Sequence, residues 1–324
     1  MKFTQKLMVT IATFSILYEV ATPITESLNH RITNVKAQAV TKENIQTKIK
    51  LTPTRNADHL MSHTISKSNN TPGTVPQSEW LHAYYYFNQM LPRYANGSKA
   101  LYAHDNNSVI LDHMATSETD MKGQLPMQSN GDRMTVISSK QAPWGNIYYH
   151  VRFSNGAKGW IQQSNLVNES AIYDNSKLNY TSHENNQAIN TGFYYINSIR
   201  IKHGLKLFRW SDKLTKIAQA RIPQLISNFG HTDSNGISYR NELAQKFGYK
   251  KYINVIGENI GTLNMYKKMS ASQYIVTDIN AMTYEDANDS KWGHRKNFLS
   301  RVSTTIGIAV KSDNGRFITA FEFY

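Results

Sequence analysis

Ile306-Gly307-Ile308-Ala309-Val310-Lys311-Ser312-Asp313-Asn314-Gly315-Arg316-Phe317-Ile318-Thr319-Ala320-Phe321-Glu322-Phe323 is the stretch that decides the fold class. Ile306, Ile308 and Val310 alternate with small or polar residues, and Ser312 to Gly315 reads as a turn. Phe317, Thr319, Phe321 and Phe323 run out a partner strand, so an antiparallel hairpin is predicted. Upstream of it the period changes to that of helices. Phe193, Ile196, Ile199 and Arg200 share one helical side that ends at His203-Gly204-Leu205, where Gly204 suits a left-handed stop. A second helix opens at Ser211-Asp212 and carries Leu214, Ile217, Ala218, the Arg221 stem and Leu225, with Pro223 expected to kink or shorten it. Ser270-Ala271-Ser272-Gln273 is a capping box for a third helix through Ile275, Ile279 and Met282. Helices followed by an antiparallel hairpin predict an α+β domain.

Between these elements lie ordered motifs. They are Ile196-Asn197-x-x-Arg200, Gly204-Leu205-Lys206-Leu207-x-x-Trp210-Ser211, Ala218-x-x-Arg221, Phe229-Gly230-His231, Gly257-Glu258-Asn259-Ile260-Gly261, Gly293-His294-Arg295-x-Asn297-x-Leu299 and Ile306-Gly307-Ile308. In this order they resemble the CAP superfamily of cysteine-rich secretory proteins, insect venom antigens and plant pathogenesis-related proteins, in its disulfide-free bacterial branch, over residues 186–324. The resemblance implies an αβα sandwich with a shallow cleft lined by two histidines and two acids. Carried over by position these are His231, Glu258 and His294, with Glu285 as the fourth and Asp286 as the alternative one residue on.

Two imidazoles and two carboxylates in a groove can hold a divalent ion such as zinc through His231, Glu258 and His294, or can shuttle protons. They can also form a satisfied polar cluster in which Glu258 caps the N–H groups of a 257–261 loop. No cofactor is required. With no cysteine in the chain, disulfides, thiolate metal sites and cysteine nucleophiles are excluded. Ser227, Ser234 and Ser238 lie near His231, but none sits in a nucleophile elbow.

Before the helices, short apolar runs separated by turns occupy residues 91–167: 99–104, 109–112, 133–137, 148–153 and 159–161. Asn155-Gly156 suits a tight hairpin turn after the aromatic strand Ile147 to Phe153. Trp144, Tyr148, Tyr149 and Gly159-Trp160-Ile161 resemble the closing part of bacterial Src-homology-3-type or GW wall-binding modules, so a small all-β barrel is expected here. Trp144, Tyr149 and Trp160 are its candidate ligand contacts, as an aromatic platform or as barrel core.

The N-terminus reads as a secretory signal over residues 1–39: Lys2 and Lys6, an uncharged, mostly apolar run from Leu7 to Leu17, and Ala37-Gln38-Ala39 as a small-residue exit. Glu19 follows the apolar run closely, so a cut near Ala21, or retention as an anchor, stays open. Residues 40–78, rich in Ser, Thr, Asn and Lys, read as a solvated spacer. No later segment is apolar for the roughly 20 residues that a spanning helix needs.

The formal charge of +13 sits mostly in residues 186–324, which hold nineteen Lys and Arg against ten Asp and Glu. Such a surface favours polyanions, which could be nucleic acid, anionic lipid or a cell-wall polymer, and charge alone does not choose among them. With the wall-module resemblance, a cell-wall polymer or another anionic surface is the expected partner. Lys246, Lys250 and Lys251 interleave with Phe247, Tyr249 and Tyr252, yet a secreted chain is not expected to meet nucleic acid. The sequence therefore reads as a secreted, extracellular or cell-wall-associated protein that binds an extracellular ligand through a His/Glu-lined cleft. The alternative is a metal-dependent or acid–base hydrolase of wall glycan or peptide using the same side chains.

Overall fold

The terminal hairpin is the centre of a four-stranded sheet. A computed structural model describes residues 77–99, 101–103, 108–125, 133–168, 178–255, 257–266 and 269–324. These all belong to one unit, Pro53–Tyr324. The expected signal and nearly all of the expected spacer lie outside the described residues.

Strands β9 (Thr305–Asp313) and β10 (Arg316–Phe323) pair in register through a turn in which Asn314 (φ 46°) and Gly315 (φ 75°) are both left-handed, the geometry that Asn-Gly adopts at low cost. The sheet order is β7-β9-β10-β8, with β7 at Arg209–Trp210 and β8 at Gly257–Asn264. The segment 257–261, expected as a loop, is thus the start of an edge strand paired with β10.

Helices α2 (Ser182–Lys202) and α5 (Ala271–Tyr284) cover one face of this sheet, and α3 (Asp212–Ser227) covers the other. The expected αβα sandwich is what the chain forms. Because β10 is an interior strand, both of its faces are buried: Phe317, Phe321 and Phe323 pack toward α2 and α5, while Ile318 and Ala320 pack with Ala218, Ile222 and Leu225 of α3. Helix α3 lies so close to β9 that a Cβ on Gly307 would come within 2.2 Å of the Thr215 backbone nitrogen. Thr181 with Glu184, and Ser270 with Gln273, form capping boxes on α2 and α5, and Ser211 caps α3. Helix α2 begins four residues before the expected boundary at 186. Pro223 does not shorten α3, which runs a further turn to Ser227.

The preceding module is built from β1 (Tyr102–Ala103), β2 (Ile110–Leu111), β3 (Met134–Gln141), β4 (Ile147–Phe153), β5 (Lys158–Gln162) and β6 (Leu166–Val167). Four strands run β2-β5-β4-β3, β1 pairs with β6, and a bridge between Leu101 and Met134 links the two sheets. The hairpin expected at Asn155-Gly156 joins β4 to β5, with Gly156 at φ 87°. Tyr149 belongs to the module's core with Val136, Val151 and Ile161, and Trp144 is buried against Tyr148. Neither presents a platform to solvent. Trp160 is half-buried and stacks on the His150 ring at 4.9 Å.

Helix α1 (Gln77–Met90) went unforeseen, and its first two residues belonged to the expected spacer. Trp80, Ala83, Tyr84 and Phe87, at helical spacing, enter the same core as Tyr194, Tyr195, Ile275 and Ile279 of α2 and α5. The module and the sandwich also meet directly. The Tyr84 hydroxyl lies 2.9 Å from both the Trp144 carbonyl and Asn146 Oδ1, and 3.2 Å from the Tyr284 hydroxyl. Glu118 of the module receives Lys202 Nζ and Arg295 Nη2, each at 2.8 Å, with His203 Nε2 at 3.2 Å. Burial acts to raise the Glu118 pKa, but the contacts from His203, Lys202 and Arg295 outweigh it and hold the carboxyl well below its usual range.

Two outcomes follow from this joint core. Phe87→Ala should cost about 3–5 kcal/mol, the usual range for truncating a buried phenylalanine, read as a lower denaturation midpoint reported by probes in the module and the sandwich alike. Because the folded Glu118 pKa is depressed, its contribution is present above about 4.5 and fades as pH falls. The stability gap between wild type and Glu118→Gln, measured by thermal unfolding, should therefore be largest at neutral pH and close in acid.

Candidate functional site

Glu258 is fully buried near the start of β8, its side chain turned toward α3. A carboxylate there survives only because it is paired. Arg221 of α3, itself fully buried, donates from Nε to Glu258 Oε1 at 2.6 Å. The other oxygen, Oε2, lies 2.5 Å from His231 Nδ1. Arg221 also donates from Nη2 to the Gly230 carbonyl at 2.6 Å, so one guanidinium holds both the carboxylate and the backbone that carries His231. Burial works to raise the Glu258 pKa, but the bonds from His231 and Arg221 and the Arg221 charge prevail and lower it.

Directly across from Glu258 in the β8–β10 register is Glu322, also fully buried. Burial, then the neighbouring Glu258 charge, pushes its pKa well above the ordinary range.

The second histidine stands at the start of the short helix α7 (Gly293–Phe298). His294 Nδ1 lies 2.7 Å from Asp286 Oδ1, and the His294 backbone N–H donates to Asp286 Oδ2 at 2.9 Å. The Ser290 hydroxyl donates to the same carboxylate. Asp286, the alternative fourth residue, is thus the partner of His294. Glu285 accepts instead from Asn165 Nδ2 of the module. The reason is positional: Glu285 is the C-cap of α5, and only the next residue reaches back under the N–H groups of 294 and 295.

Both histidines line a cavity of about 560 Å³ together with Phe229, Met282, Glu285 and Asp286. The module contributes Ser108 and Asn165 to its wall. The His231 side chain is 48% exposed at the rim, whereas His294 is 16% exposed and lies deeper. With Nδ1 of each ring turned to a carboxylate, Nε2 is the nitrogen left for a ligand. Of the residues expected to hold a metal, His231 and His294 line the cavity. Glu258 does not: both of its oxygens are engaged and it stands behind His231. Phe247, Tyr249 and Tyr252 pack with Leu214, Ile217 and Leu243 rather than lining a groove.

The sequence reading missed Asn165, Ser108 and Glu322. Glu322 had a signal, since an acid at an inward position of an interior strand must be neutralised or paired. The other two reach the cleft only through tertiary packing.

Residues 193–323 match the Cysteine-rich secretory protein family (CAP), and residues 99–167 match the GW (Gly-Tryp) dipeptide domain, whose dipeptide is Gly159-Trp160. No curated protein matches the chain. Among solved structures, an outer surface protein of Borrelia burgdorferi is 17% identical over 45% of this chain and 96% of its own, with a TM-score of 0.33. The CAP domain of enterococcal PrgA is 16% identical over 46% and 67%, with a TM-score of 0.33. A cysteine-rich secretory protein of Staphylococcus aureus is 13% identical over 61% and 66%, with a TM-score of 0.34. The chain carries a CAP domain of the cysteine-rich secretory protein family over residues 193–323, preceded by a GW domain over residues 99–167.

Proposed function

We propose that this is a secreted bacterial surface protein, held at the cell wall by its GW domain, that binds an extracellular ligand in the two-histidine cleft of its CAP domain. The observation that carries the reading is the pair of imidazoles, each fixed through Nδ1 by a buried carboxylate and facing one cavity. Rigidly held donors and acceptors in a concave, half-apolar pocket are the usual features of a binding site. Hydrolysis through a serine nucleophile has less support. The Ser290 hydroxyl is committed to Asp286 and to the His294 N–H, and so is not poised to attack. Among the described residues no helix is long and apolar enough to cross a membrane.

A carboxylate-backed imidazole is also the form in which histidine holds zinc, which favours a second reading of the same cleft. His231 and His294, which line the same cavity, would be the nitrogen ligands. Zinc there would supply a Lewis acid. Glu258 and Asp286 would orient the rings.

Calorimetric zinc titration at pH 7.5 separates the two readings. If zinc is held, His294→Ala abolishes binding, Asp286→Asn weakens it about 10–100-fold, and affinity falls about tenfold per pH unit for each proton displaced as pH drops toward 5.5. Equal titration curves for wild type and both variants would rule out the metal reading and leave ligand recognition.

Wall attachment is tested with the intact chain. It should sediment with purified cell walls and stay bound at about 0.3 M salt, where exposed charge pairs are strongly screened. Release at that salt would mean that the basic surface, not the GW domain, makes the contact.

A further inference from the structure

The cleft runs along an unpaired strand edge. In the sheet order β7-β9-β10-β8, strand β8 has, among the described residues, a neighbour on one side only. The Met265 N–H donates to the Gly315 carbonyl at 2.7 Å, which makes 265 and 315 a hydrogen-bonded pair. Such pairs alternate along an antiparallel ladder, and the register from 257 to 264 is unbroken. The backbone groups of 257, 259, 261 and 263 therefore face β10, and those of 258, 260, 262 and 264 face outward.

The outward edge is treated differently along its length. At its start α7 closes it: Asn297 Nδ2 donates to the Glu258 carbonyl at 3.4 Å and to Asn259 Oδ1 at 2.7 Å, and Asn259 Nδ2 donates to the His294 carbonyl at 3.0 Å. From Ile260 to Leu263 no described strand covers it, and these four consecutive residues line the cavity.

The cavity also touches both sides of the strand. Phe229, Gly230 and His231 lie on the side where Ile260 packs with α3, and Asp278, Ala281, Met282 and Glu285 on the side where Leu263 joins the α2–α5 core. A pocket bordered by both faces of one strand wraps that strand's edge. Exposed edges are ordinarily blunted or covered, because their N–H and C=O groups template another strand.

We propose that the cleft takes an extended peptide, which adds as a strand to β8 through the outward N–H and C=O groups of Ile260 and Thr262. The proposal rests on the reading of the cleft as a ligand site and names the ligand class. The chemistry favours a peptide over a glycan. Two outward residues spaced two apart along β8 repeat at about 6.8 Å, the repeat of an extended peptide backbone and not of a sugar ring. Alternate peptide side chains would then fall toward His231 and Phe229 on one side and toward Ala281 and Met282 on the other. The second group selects small or apolar residues. Ser108 and Asn165 of the GW domain border the same groove, so the peptide would meet both domains.

The test uses the intact chain and the probe acetyl-Thr-Val-Thr-Val-Thr-amide, with backbone amide exchange read residue by residue. Saturating probe should slow exchange at Ile260 and Thr262 at least tenfold and leave the amides of 259 and 261, already paired with β10, unchanged. N-methylation of one alternate set of probe nitrogens should weaken binding about tenfold per hydrogen bond removed, while methylation of the other set, facing away from β8, is tolerated. This arm leaves the protein untouched. Thr262→Pro, which removes one outward N–H at an exposed edge position where proline is tolerated, should weaken the probe similarly with the circular dichroism spectrum retained.

Equal effects of the two methylation patterns would overturn strand addition, as would a soluble wall glycan protecting Ile260 and Thr262 when the peptide does not. If zinc or wall fragments shift His231 and His294 resonances while the probe protects neither amide, this inference falls and the cleft remains a ligand site. If nothing perturbs any cleft residue, the ligand reading falls with it.

Discussion

The buried pair between Arg221 and Glu258 is the constraint on which the cleft depends. Two opposite charges with no exposed side-chain surface are costly to desolvate, and a hydrophobic pair of the same volume would often be as stable. Their arrangement here does more than join α3 to β8. Arg221 spends its remaining donors on Gly230 and Gln224, and Glu258 spends its second oxygen on His231. Losing either partner would leave an uncompensated charge in the interior and release the His231 loop at the same time. Burial and the Glu258 charge both raise the pKa of Glu322 beside them, which disfavours a second negative charge in the cluster.

A second dependence runs between the domains. Helix α1 buries its apolar face in the CAP core before the chain turns into the GW module, and Glu118, Gln124, Asn165 and Gln163 return from the module to the sandwich or to the helix exit. The module is therefore more than a tethered anchor. Its Asn165 donates to Glu285, an acid that lines the cleft. The cleft of this chain thus has a wall that the CAP domain alone would not supply.

Much of this was legible in the sequence, and the reasons are specific. The alternation in 306–323, the Asn-Gly turns and the Ser270 box are local signals, and each formed the element it predicts. Ordered motifs located His231, Glu258 and His294 because those residues sit beside glycines and asparagines with structural duties of their own. Three things were hidden. Trp80, Ala83, Tyr84 and Phe87 have clear helical spacing, but they follow directly on a polar stretch and were passed over with it. The choice between Glu285 and Asp286 turns on where α5 ends, and helix ends are the least determined feature of a sequence. Trp144 and Tyr149 could be platform or core, and only the packing of β3, β4 and β5 decides for core.

The two histidines hang on different elements, and neighbouring residues of one strand gear them together. Successive side chains on a strand point to opposite faces. Glu258 points toward α3 and holds the loop of His231, and Asn259 points the other way and holds α7 through the His294 carbonyl. Asn297 closes the arrangement by bonding both the Glu258 carbonyl and the Asn259 side chain. A shift of β8 along β10 by one residue would exchange these two faces and release the His231 loop and α7 at once. That register is held by the apolar faces of β10 on either side, which Ile260 and Leu263 of β8 join, and by the bonds that Glu258 and Asn259 make to α3 and α7. The separation of the imidazoles across the cleft therefore follows from how β8 packs in the sheet, with each ring tied to it through one of two neighbouring residues.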